Sequence, residues 1–226
     1  MKNSLNLFLT LTLLMVLSIP SFSQDTKFLV TVKGGFSYSD LRTGNDLVNK
    51  SYDPILRPTI CIDFNYSINW FLTFSTGINY RQKGFESNFL FTDANGNILK
   101  NSKLFFQHNQ LTFPLRLELK HGNKLRFNFG IGPVLGLQLN SIVDAGKNTP
   151  VEGQLGPVDI SDEYKPLDLG LSTRIGLQYP VSDQFTLAFS ITDEYGLSDI
   201  SDNKSLNWGE IKTHLIAAEL GLGYSF

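Results

Sequence analysis

The sequence predicts an all-β chain, an eight-stranded antiparallel up-and-down transmembrane β-barrel, on three observations. From about residue 27 to the end, apolar residues recur at every second position. Short polar turns alternate with long polar segments along the chain, and aromatic residues gather near both ends of the alternating stretches. Alternation is the signature of a strand with two different environments. Turns that alternate in length fit an up-and-down barrel, and aromatic rings at both ends fit two membrane interfaces.

The 226 residues open with Met1-Lys2-Asn3, an apolar stretch from Leu5 to Ile19, Pro20 and the small-residue pattern Ser21-Phe22-Ser23 before Gln24. This is the layout of a secretory signal peptide, so residues 1–23 are expected to be removed and residues 24–226 to form the barrel domain. Beyond that stretch no run of about 18 apolar residues follows, which excludes a mature helical membrane protein.

The first strand is expected near Phe28 to Tyr38. The next follow from Ile60/Ile62/Phe64/Tyr66, Leu72/Phe74/Thr76/Ile78/Tyr80 and Leu111/Phe113/Leu115/Leu117/Leu119. The clearest stretch is LRFNFGIGPVLGLQL, in which Leu125, Phe127, Phe129, Ile131, Leu135, Leu137 and Leu139 all hold odd positions. Leu167/Leu169/Leu171/Ile175/Leu177/Tyr179, then Phe185/Leu187/Phe189/Ile191, then a last strand from about Trp208 to Phe226 bring the count to eight. Short turns are read at Ser67-Ile68-Asn69, His121-Gly122-Asn123 and Ser182-Asp183-Gln184, and long loops at about 39–53, 87–102, 140–165 and 198–207.

Alternation leaves open which face points outward. The alternate face is rich in Gly, Ser, Thr, Asn and Gln with scattered charges, which suits a crowded lumen. Phe28, Tyr66, Trp70, Tyr179, Phe185, Tyr224 and Phe226 border the short turns, and Tyr38, Tyr80, Tyr195 and Trp208 lie toward the long loops. These two girdles place the apolar face against lipid, and the C-terminal Phe226 then belongs to the periplasmic girdle. Its final strand is similar to the signal read by barrel-assembly machinery. Arg57, Asp63, Arg116, Glu118, Asp168, Arg174 and Glu219 turn toward a lumen narrow enough to be filled by side chains, where they are expected to pair as a structural network. Glu210, Lys212 and His214 share parity with outward Ile216, Leu220 and Leu222, which requires them to project above the bilayer or a bulge to shift the register.

No catalytic, cofactor-binding or metal-binding residue is nominated. The bases available are His108, His121 and His214; His121 sits in a tight turn, and neither of the others has a Ser two residues on. Asp93-Ala94-Asn95-Gly96-Asn97 fails as a calcium loop, because its glycine comes too early and Leu104 stands where the bidentate Glu belongs. Asn95-Gly96 reads instead as a hairpin turn on strands that continue above the membrane. The acids Asp144, Glu152, Asp159, Asp162 and Glu163 in the 140–165 segment read as solvated loop residues. Cys61 is the only cysteine and reads as a buried small residue without a disulfide partner. A net charge of -2 excludes the basic surface of a nucleic-acid binder.

Three segments carry a resemblance: Tyr80-Arg81-Gln82-Lys83-Gly84, Leu111-Thr112-Phe113-Pro114-Leu115 and Phe129-Gly130-Ile131-Gly132-Pro133-Val134-Leu135-Gly136. In this order they resemble the PorT-like outer-membrane barrels of Bacteroidota, over essentially the whole mature chain. The resemblance implies a closed outer-membrane barrel without a cofactor and, through the family's founding member, a part in protein export by the type IX secretion system. The expectation is a noncatalytic envelope or interaction component whose partners are outer-membrane lipid and envelope or secretion-system proteins. A lipid- or peptide-modifying enzyme and a small channel are the alternatives.

Overall fold

The computed structural model describes residues 28–43, 52–92, 98–144, 157–202 and 210–226. The expected signal peptide, the Asp93–Asn97 turn, Glu152 and Trp208 lie outside these residues.

Strands β1 (Phe28–Thr43), β2 (Tyr52–Ser67), β3 (Leu72–Thr92), β4 (Ile98–His121) and β5 (Arg126–Asp144) are followed by a two-residue strand β6 (Val158–Asp159). A 3-10 turn at Ser161–Glu163, then β7 (Leu167–Pro180), β8 (Phe185–Gly196) and β9 (Ile211–Ser225), complete the chain. Each long strand pairs antiparallel with its neighbours, β9 closes on β1 and β4 pairs with β5. The result is a closed barrel of eight strands, with β6 added above it on β5. Closure leaves no unpaired edge, as backbone polar groups in lipid require.

The expected parity holds. Val32, Phe36, Ile60, Ile62, Phe64, Ile78, Leu115, Leu117, Ile131, Ile175, Leu187 and Leu220 are exposed on the outer wall, whereas Thr31, Ser37, Asp63, Ser75, Arg116, Ser172 and Glu219 are buried in the lumen. At the short-turn end Phe28 meets Tyr66 with ring centroids 4.9 Å apart, Tyr224 meets Phe226 at 4.9 Å, and the Phe226 N–H donates to the Phe28 carbonyl at 3.0 Å. The chain therefore ends as a paired strand in the aromatic girdle. Trp70, in the β2–β3 turn, is 83% exposed.

One feature departs from the sequence reading. The segments expected as solvated loops around 157–166 and 197–202 fold back over the long-loop mouth. The Lys165 N–H donates to the Ile200 carbonyl at 2.8 Å, the Asp202 N–H to the Glu163 carbonyl at 3.0 Å, and the Ile200 N–H to the Ile211 carbonyl at 2.9 Å. Leu41, Phe85, Tyr164, Ile200 and Ile211 form a small buried core there, with Tyr52, Phe106 and Ile160 against it. The apolar residues of these loops are too few and too irregularly spaced to register as elements, so only the partner strands reveal their role. Lys212 and His214 behave as the first option anticipated: their register continues unbroken from Ile216 through His214↔Asp40 and Lys212↔Arg42, and Glu210, just before β9, pairs with Lys212 at 2.8 Å. No bulge is needed because β9 rises past the apolar belt.

Candidate functional site

The lumen is built by the inward residues of all eight barrel strands. Five cations, Lys33, Arg81, Lys83, Arg116 and Arg174, meet five carboxylates, Asp63, Glu118, Asp168, Glu194 and Glu219, all at most 4% exposed. Lys33 Nζ lies 2.7 Å from Asp63 and 3.4 Å from Glu219, and donates to Ser190 Oγ at 2.9 Å. Arg174 grips both Asp63 oxygens at 3.0 and 3.3 Å, while Arg116 reaches Asp63 at 3.4 Å and Ser172 Oγ at 3.1 Å. Higher in the barrel, Arg81 bridges Glu219 and Glu194. Lys83 donates to Asp168 and to Thr213 Oγ1, each at 3.2 Å.

Equal numbers of opposite charges cancel, and each carboxylate has at least one cation within ion-pair range. Such an arrangement tolerates burial, because charge removed from water is costly only while it is uncompensated. Toward the short-turn end a cavity of about 20 Å³ is lined by Thr31, Asn65, Glu118, Asn128 and Gln178 among others, space for about one water molecule. Thr31 Oγ1, Glu118 Oε1 and Asn128 Oδ1 are buried there without a hydrogen-bond partner, the polar lining such a water needs.

Of the charges assigned inward from sequence, Asp63, Arg116, Glu118, Asp168, Arg174 and Glu219 join the network. Arg57 does not: it stands opposite buried Ser37 in an unbroken β1–β2 register and keeps its inward parity, but it forms no ion pair with a described residue, and its guanidinium lies 5.7 Å from the ring centroid of Phe105. Sequence reasoning missed Lys33, Arg81, Lys83 and Glu194. The signal was present, since each shares parity with buried Thr31, Asn79 or Thr192.

The segments that carry the family resemblance are accounted for by architecture. In Tyr80-Arg81-Gln82-Lys83-Gly84, Arg81 and Lys83 serve the network. A Cβ on Gly84, whose φ is +153°, would stand 1.9 Å from the Phe106 carbonyl oxygen. The β4–β5 ladder is interrupted between Pro114↔Val134 and Leu117↔Ile131, where Pro133 has no N–H to give. There a Cβ on Gly132 would meet the Leu115 carbonyl oxygen at 1.9 Å.

The three histidines are dispersed. His121 is exposed at the short-turn end, and His214 Nε2 lies 2.9 Å from Asp193 on the outer wall. His108 is buried under the cap, its Nδ1 2.7 Å from Ser141 Oγ and its ring edge-on to Tyr164 with centroids 4.2 Å apart. That hydroxyl is fully buried and also accepts from Gln138 Nε2 at 2.8 Å. Cys61, 1% exposed, donates to Glu219 at 2.8 Å. Asp159 accepts from the Ser161 N–H at 2.9 Å, and among the described residues no group of three His, Cys, Asp or Glu is placed to hold a metal ion.

Comparison with known proteins places this architecture. The family model for the outer membrane protein beta-barrel domain matches residues 22–202. Among solved structures, Neisserial surface protein A is 13% identical with a TM-score of 0.50, over 88% of this chain and 97% of that one. OprG of Pseudomonas aeruginosa is 12% identical with a TM-score of 0.43, over 88% and 95%. Ail, the attachment invasion locus protein of Yersinia pestis, is 12% identical with a TM-score of 0.40, over 88% and 99%. No curated protein matches significantly. At these identities the likeness to solved structures is one of fold, whereas the family model spans most of the sequence: the chain belongs to the outer membrane β-barrel domain family, and the outer membrane is its place.

Proposed function

We propose that this protein is a noncatalytic envelope component that works through its surfaces rather than its lumen, as a PorT-like barrel engaged with other envelope or secretion proteins. The observation that carries the reading is the double closure of the lumen. Ion pairs fill the middle, and the Phe85–Tyr164–Ile200 core closes the long-loop mouth. Side chains rather than an aqueous channel occupy a lumen of this strand number.

The platform for partners is the β3–β4 hairpin, whose strands stay paired up to Thr92↔Ile98. From Tyr80, at the upper edge of the apolar belt, to Thr92 is roughly 40 Å along the strand, a stiff projection beyond the membrane. Loops and extensions held by a rigid scaffold are where recognition concentrates. The three segments around Tyr80, Leu111 and Phe129 support the narrower reading, a part in type IX secretion.

Two measurements test the reading. Purified protein in planar bilayers should give no discrete conductance; reproducible single-channel steps would overturn the closed-lumen argument. In a clean deletion strain with its complement, proteins bearing type IX export signals should accumulate in the periplasm. Unchanged export would remove the secretion role while leaving the closed barrel standing.

A further inference from the structure

Just above the apolar belt, the outer wall has two different polar faces. On β1, β8 and β9 it is charged: His214 pairs with Asp193 at 2.9 Å, and the Arg42 guanidinium carbon lies 3.5 Å from the centroid of the Tyr195 ring. Across β3, β4 and β5 the side chains at the level of Tyr80 and Gln82 are uncharged and tied into a ladder, with the Lys103–Glu86 ion pair higher on β3 and β4. Gln82 Nε2 donates to the Tyr80 hydroxyl at 3.3 Å and to Asn109 Oδ1 at 3.0 Å; the Tyr80 hydroxyl donates to Asn109 Oδ1 at 3.1 Å; Asn109 Nδ2 donates to Asn140 Oδ1 at 2.6 Å. The register shift between Asn109 and Gln110, which pairs Asn109 with Asn140 but Gln110 with Gln138, brings Asn140 to the outer face. Directly below lie Ile78, Leu111, Leu137 and Leu139 of the lipid-facing belt.

The ladder fixes its carboxamides without exhausting them. The Gln82 carbonyl oxygen at one end and the Asn140 amide nitrogen at the other have no protein partner among the described residues, and both side chains are half-buried rather than free to swing. The wall thus offers a held acceptor at the Gln82 end and held N–H donors toward the Asn140 end, at the height of lipid head groups. A phosphate, which only accepts, would use the donors and leave the carbonyl oxygen without a partner. A sugar ring, whose hydroxyls each donate and accept, satisfies both.

We infer that the Tyr80–Gln82–Asn109–Asn140 wall is a seat for the uncharged sugar head group of an outer-leaflet glycolipid, whose acyl chains lie on the apolar belt below. The inference rests on the outer-membrane placement and is independent of any role in secretion.

The test uses the mature protein in phosphatidylcholine nanodiscs, with the side-chain amide resonances of Gln82, Asn109 and Asn140 followed by NMR. Titration of monogalactosyldiacylglycerol should move them saturably, and titration of phosphatidylglycerol should not. Asn140→Asp keeps the oxygen that accepts from Asn109 and removes the Asn140 donor, so it should weaken the galactolipid response about tenfold. His214→Ala, on the charged face, should leave it unchanged. Gln82→Leu, which removes the acceptor, gives a second reading should Asn140→Asp fail to fold, as judged by gel mobility without heating. Resonances unmoved by the galactolipid, or moved equally by phosphatidylglycerol, would overturn the assignment.

Discussion

Removing the Glu219 carboxylate is the sharpest probe of the lumen. Glu219 accepts from Arg81, faces Lys33 Nζ at 3.4 Å, and takes further hydrogen bonds from Cys61 at 2.8 Å and Ser190 at 3.2 Å. Glu219→Gln keeps the shape and leaves five buried cations facing four carboxylates. Breaking a buried pair from one side costs about 3–5 kcal/mol, because the surviving charge stays out of water. With a urea slope of about 2 kcal/mol/M, a loss of about 4 kcal/mol lowers the unfolding midpoint by about 2 M. The assay is urea unfolding in phospholipid vesicles, with the folded fraction read from the mobility of unheated protein on a gel. Combining Glu219→Gln with Arg81→Met restores balance at four against four. The double variant should be more stable than the sum of the single losses allows, by about 1–3 kcal/mol of coupling. A Glu219→Gln midpoint equal to the parent's, or strictly additive losses, would refute the view that charge balance holds the lumen together.

Four further outcomes are expected. Gly132→Ala puts a Cβ 1.9 Å from the Leu115 carbonyl oxygen, so the β4–β5 ladder must spread at a cost of about 1–3 kcal/mol, read by the same unfolding assay. Tyr164→Ala empties the centre of the cap and should raise amide exchange at Ile200 and Ile211 while the bilayers stay silent, since the ion pairs below still fill the lumen. Cys61, buried against Glu219, should resist a membrane-permeant maleimide in the folded barrel and react once unfolded, as followed by mass spectrometry. Burial pushes the Asp199 carboxyl up, but the N–H groups of Ile211 and Ser201 and the Lys165 ammonium outweigh it and hold Asp199 below the usual range. A carboxylate with a depressed folded value stabilises above its unfolded pKa of about 3.9 and loses that contribution as the pH falls through the folded value. Amide protection factors at Ile211 and Ser201 should therefore hold above about pH 4 and decline below it.

The alternation determined most of the architecture. Period two within each strand allows one arrangement that buries polar residues together and shows lipid an apolar wall, and the alternation of turn lengths sets the strand order. The parity of Asp63, Arg116, Glu118, Asp168, Arg174 and Glu219 was legible for the same reason, and so, by the same rule, were Lys33, Arg81, Lys83 and Glu194. Arg57 follows the same parity, opposite buried Ser37, yet meets no carboxylate among the described residues, because parity sets a side chain's face and not its partner. Pairing partners are a different matter. Arg81 and Glu219 are 138 residues apart and meet only because β9 closes against β1, and the meeting of Tyr164 with His108 or of Lys165 with Ile200 likewise depends on how two loops cross one mouth. The amide ladder needs three strands in register plus one extra residue at Leu139–Asn140. Sequence periodicity fixes which way a side chain points, because that depends on the chain's own pleat; which side chain it meets depends on closure, register and loop crossing, and these exist only in the folded barrel.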